Sequence, residues 1–182
     1  SHGPRLSLKN GLRNRLDFFG IVAGEDDGIT LTLGTASAPG TLLIGQHDYD
    51  GAGRTSRLIA GSGTTVNGTL SSVTVARNDM SLQASSVGTL DLRSATVGSD
   101  GLTMNTVQIG KGPSVSGFLG LGSGLTQAQT IEVGDARTAQ VGSGMLEVAA
   151  NGVILNATGT YGMAHPSFLH MVGADKDPAK AG

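Results

Sequence analysis

Two stretches of this chain are near-copies: LTMNTVQIGKG at residues 102–112 and LTQAQTIEVGD at residues 125–135. Each runs from Leu-Thr through a polar middle to two apolar residues set one apart, and then to a glycine. Alternation of that kind is the period of a half-buried strand, and the glycine that follows ends it. One such strand buries a single row of small side chains, too little to offset the entropy of ordering it. A chain that repeats these segments must stack them, so that neighbours complete one another's core and satisfy one another's backbone.

The pattern extends well beyond the two copies. Lines that open on glycine and small or apolar residues, GTLDL, GFLGLG and GMLEV, start at Gly88, Gly117 and Gly144. Lines that end in glycine after an alternating pair, SATVG, TVQIG and TIEVG, close at Gly98, Gly110 and Gly134. The spacing is uneven, which suits a solenoid whose coils differ in length. The expected fold is all-β: a parallel β-solenoid (β-helix) of short irregular rungs, with Val107 and Ile109 on one rung and Ile131 and Val133 on the next forming an inward core ladder. The competing fold is an antiparallel β-sandwich or jelly roll, which also makes many short strands. Its support is hairpin-type dipeptides, Asp-Gly at 27–28, 50–51 and 100–101 and Asn-Gly at 67–68 and 151–152.

A length of 182 residues predicts one domain. Residues 1–16 read as an N-terminal arm or cap, where Leu6, Leu8, Leu12 and Leu16 line one side of a short helix. The solenoid is expected over 17–159, with a C-terminal cap and tail over 160–182. With 30 Gly, no Trp and 3% aromatic residues, the core has to be thin and aliphatic. A formal net charge of −2 gives no electrostatic reason to expect nucleic acid or an anionic membrane as partner. No apolar run is long enough to span a bilayer, so membrane insertion is not expected. The absence of cysteine excludes disulfides, thiolate catalysis and Cys-based zinc sites, and is compatible with an extracellular chain.

Over roughly half the chain, the style of GTLDLRSATVGSDGLTMNTVQIGKG and SGFLGLGSGLTQAQTIEVGDA resembles the glycine-rich β-strand repeats of secreted bacterial surface proteins, including autotransporter passengers. The QHDYDGAGRTSR segment after Ile44 departs from that style. The resemblance implies an extracellular right-handed β-helix acting as a stalk, adhesin or surface fibre. It carries over no catalytic residue.

The sharpest chemical motif is HDYDGAGR at 47–54. Asp48 and Asp50, two apart and followed by glycine, form a Ca²⁺-like turn, since alternate oxygens can face one hard cation. The plainer reading is an Asp-Gly turn in an inserted loop, with no cofactor, because residues 55–62 supply no acid to complete an EF-hand loop. Glu25 and Asp26 make a similar acidic turn. Asp91, Asp100, Glu132, Asp135 and Glu147 are spread singly, each expected to face solvent, whereas glycosidase chemistry needs carboxylates gathered on one face. The apolar stretch with Met163, Phe168, Leu169 and Met171 is expected either to cap the last rung or to contact a neighbouring subunit.

The expected function is therefore non-enzymatic: an extracellular structural module of a surface fibre, stalk or adhesin that forms a homo-oligomer or filament end to end. The alternative is a glycan- or receptor-binding module such as a phage tail-spike domain. Ice binding would need regular Thr-x-Thr rows, which only TLTLGT approaches.

Overall fold

In the computed structural model, the described residues are 5–9, 14–18, 29–47, 54–79, 85–134, 142–148, 153–157, 161–163 and 168–171. Every named element is a strand: β1 (Arg5–Lys9), β2 (Asn14–Phe18), β3 (Ile29–Thr32), β4 (Gly40–His47), β5 (Arg54–Ala60), β6 (Thr64–Asn78), β7 (Ser86–Asp91), β8 (Thr96–Lys111), β9 (Val115–Gly120), β10 (Gly124–Val133), β11 (Ser143–Val148), β12 (Val153–Ala157), β13 (Tyr161–Met163) and β14 (Phe168–Met171). One sheet has the order β1-β4-β6-β8-β10-β12, with β3 added on β6 and β13 on β10; the other has the order β14-β11-β9-β7-β5-β2. The chain passes back and forth between the two sheets, with β3 and β4, and β12 and β13, consecutive on the first, and every hydrogen-bonded pair of named strands is parallel. The fold is a parallel β-solenoid.

The β-sandwich alternative fails on that point, since a sandwich is built from antiparallel neighbours. Of the dipeptides that favoured it, those at 27–28, 50–51 and 151–152 lie outside the described residues, and the other two do something else. Asn67-Gly68 and Asp100-Gly101 lie inside β6 and β8, where positive φ values of 130° at Gly68 and 76° at Gly101 accompany a shift in strand register. Between Val97 and Leu102 the chain carries residues 98–101, where β6 has only Asn67 between Val66 and Gly68. Bulging out those residues lets a longer coil keep its ladder in step. Coil length varies accordingly: hydrogen-bonded partners on adjacent rungs are 24 residues apart for Gln108 and Glu132, and 35 for Asn78 and Pro113.

The core follows from alternation within each rung. On the first sheet Leu42, Val73, Val107 and Ile131 stack in register, and so do Ile44, Val75, Ile109 and Val133. All eight are buried, with Ile44, Val73, Val75, Ile109 and Val133 at 0% exposure. Facing them is a column in which Leu58, Leu90, Leu119 and Leu146 are consecutive. The described core contains no aromatic side chain, so its stability comes from aliphatic contacts worth about 1.5–3 kcal/mol per fully buried side chain.

Glycine sets where the sheets meet. Gly88, Gly117 and Gly144, which open the repeated lines, form one column of the second sheet. A Cβ on Gly88 would lie 2.6 Å from the Ile44 carbonyl oxygen, and one on Gly117 would lie 2.5 Å from that of Val75. Any side chain there would force the two sheets apart.

Residues 5–9 and 14–18 are strands pairing with β4 and β5. Of the leucines that suggested a helix, Leu6, Leu8 and Leu16 lie instead on strands that extend the two sheets, and Leu12 lies outside the described residues. At the other end, β13 and β14 add to β10 and β11. Among the described residues no helix is long and apolar enough to cross a membrane.

Candidate functional site

The densest polar cluster among the described residues lies on the second sheet, at the corner after β7. The strand ends at Asp91, and Leu92–Ala95 closes a turn in which the Ala95 amide donates to the Leu92 carbonyl at 2.9 Å. Leu92 and Ala95 are buried while Arg93 is exposed. Arg93 folds back along the sheet. Its Nε and one terminal nitrogen donate to the two oxygens of Asp91 at 2.8 and 2.7 Å, and the other terminal nitrogen donates to Glu147 at 3.0 Å. The guanidinium also lies 4.9 Å from the centre of the Phe118 ring.

The strand register explains how one side chain reaches so far. Asp91 pairs with Gly120 and Gly120 with Glu147, so the carboxylates stand two rungs apart with a glycine between them. A Cβ on Gly120 would sit 2.7 and 2.9 Å from Cγ and Cδ of Arg93. A side chain at Gly120 would make the arginine stem shift from this path. Arg93 thus ties β7, β9 and β11 together.

Electrostatics fit a fixed ion cluster. Burial alone would raise the Asp91 pKa, but hydrogen bonds and charge from Arg93 more than offset it and hold the carboxyl below its ordinary value of 3.8. Hydrogen bonding to Asp91 raises the already high pKa of Arg93 further. A carboxylate held ionised in this way is a poor proton donor at neutral pH. The chemical capacity of the cluster is to clamp rungs.

A second pattern is made of hydroxyls. Thr30, Thr65, Thr96 and Ser123 form one column, and Thr41, Ser72, Thr106 and Thr130 another. Beside the first column Thr32 is followed by Asn67, so among the described residues Thr30 and Thr32 do not begin the double row of threonines that ice recognition would need. Gln108 donates to Glu132 at 2.8 Å, bridging neighbouring rungs at a further position.

The sequence-derived candidates fall as follows. Val107 pairs with Ile131 and Ile109 with Val133, all inside the core. Asp48, Asp50, Glu25, Asp26 and Asp135 lie outside the described residues. Met163 is in β13, and Phe168, Leu169 and Met171 are in β14, where they pair with Met145, Leu146 and Val148. Asp91 and Glu147, read as isolated acids, share one guanidinium instead. Sequence reading missed that cluster because its members are separated by coils of unequal length; the signal available was the repeated slot of GTLDL, GFLGL and GMLEV, whose next residues include Arg93.

Comparison with protein-family models, with curated proteins and with solved structures found no match to this chain.

Proposed function

We propose that this protein is a non-enzymatic extracellular structural module, a β-solenoid segment of a surface fibre, stalk or adhesin that associates end to end with copies of itself. One observation carries the reading: the leucine column of the second sheet extends to its outermost strands, through Leu16, Leu58, Leu90, Leu119, Leu146 and Leu169. A solenoid that stands alone needs polar end repeats to shield its ladder. Among the described residues the outermost strands repeat the apolar register of the middle and pair with no further strand, and a parallel edge of that kind is a template for another chain. The non-enzymatic part is supported by Asp91 and Glu147, the acids gathered on one face, being committed to Arg93. The extracellular part draws on the surface-protein style of the repeats and the absence of cysteine.

Sedimentation velocity and negative-stain microscopy across a range of concentrations test the reading. Concentration-dependent oligomers or filaments are expected, and a uniform monomer at every concentration contradicts it. A second reading, a glycan- or receptor-binding module, draws on the hydroxyl columns of the first sheet. A stable monomer that binds surface glycans would favour it.

A further inference from the structure

We infer that copies join head to tail in parallel, with β1 and β2 of one copy docking on β13 and β14 of the next. This rests on the end-to-end reading above and adds the polarity and chemistry of the joint. Among the described residues no strand pairs beyond β14 on the second sheet, and none beyond β2 at its other end. Adding β2 to β14 in the direction of every existing pair places Leu16 one strand beyond Leu169, and so continues the leucine column. On the first sheet the same step places Leu6 beyond Tyr161, because both belong to the column that passes through Leu42 and Ile131. Both ladders therefore continue at once.

The flanking columns are chemically complementary. Arg15 and Phe168 are the two ends of the column that runs through Arg57, Thr89, Phe118 and Met145. Asp17 and His170 are the two ends of the column through Asp91 and Glu147. A head-to-tail joint thus sets a cation position next to an aromatic one and a carboxylate position next to an imidazole one. The first of these has a precedent within the molecule, where Arg93 lies over the Phe118 ring. A twofold joint would instead reverse strand direction in both sheets at once, and no named strand pair here is antiparallel.

This sequence has no cysteine, so thiol cross-linking reads the joint directly. Neighbouring strands lie about 4.8 Å apart, within the ~4.4–6.8 Å between Cα atoms that a disulfide spans. Asp17→Cys and His170→Cys are made singly in the full chain, and their circular dichroism and melting are compared with the parent. Under mild oxidation, the mixture of the two is expected to form at least about tenfold more covalent dimer than either alone, and the double variant a ladder of multimers. Arg15→Cys mixed with Phe168→Cys must give the same answer, which guards against one pair failing to fold. Covalent dimers in either single variant at the mixture's yield would overturn the inference in favour of a twofold joint. Oligomers by sedimentation without cross-linking in either mixture would overturn it while leaving self-association standing. Monomers throughout would overturn both.

Discussion

At the residue scale, the most informative position is the one after each inward ladder pair. Gly45, Gly110 and Gly134 occupy it with φ of 70°, 74° and 79°, while Ala76 occupies it with φ of 60°. A Cβ on Gly110 would collide with the Ser143 carbonyl oxygen, and left-handed backbone is itself unfavourable for a residue that has one. Gly110→Ala should therefore cost about 3 kcal/mol, whereas Ala76→Gly should stabilise by up to about 1 kcal/mol; urea unfolding of the two variants measures the contrast. Arg93 supports a second prediction. Arg93→Ala should lose about 1–2 kcal/mol, a modest figure because the guanidinium is partly exposed, and Arg93→Lys should recover less than half because lysine lacks the planar fork. The pH dependence has a definite sign. Asp91 titrates lower folded than unfolded, so its contribution is complete above the ordinary carboxylate range and is lost as pH falls through the folded value. The gap in melting temperature between parent and Arg93→Ala should narrow in that acid range and stay constant from pH 6 to 8.

At the element scale, stability should follow the ladders. Leu146→Ala removes a fully buried member of the leucine column and should cost about 2–5 kcal/mol. Ile154→Ser, on a strand position that is 59% exposed, should stay within about 0.5 kcal/mol of the parent. Thermal or urea unfolding of both variants distinguishes a laddered core from uniform stability. The strands and the solenoid class were legible in the sequence because they rest on local signals: alternation in TVQIG and TIEVG, and glycines at 88, 117 and 144 where the sheets touch. The Arg93 cluster was not, because Asp91 and Glu147 become neighbours only through the register of three rungs, and unequal coils hide that register. The bulge at residues 98–101 has the same cause: an Asp-Gly pair signals a reversal locally, and only pairing with β6 turns it into an outward loop. In residues 1–16, leucines spaced for a helical stripe also fit strand alternation at Leu6 and Leu8, and the open sheet edges decided between them.

At the scale of the whole molecule, the solenoid concentrates its chemistry in repetition. Several columns are nearly one residue type, so aliphatic interior, glycine seam and hydroxyl rows run along the stack, and the leucine column reaches both outer strands. Everything proposed for assembly depends on rungs lying parallel and in register, which methyl–methyl nuclear Overhauser measurements on the isotope-labelled chain test most directly. Cross-peaks are expected from Val107 to Ile131, from Ile109 to Val133 and from Leu119 to Leu146, pairs that adjoin only in a parallel stack. Cross-peaks linking Val107 to Val133 and Ile109 to Ile131 in their place would mean reversed strands, and would contradict the solenoid.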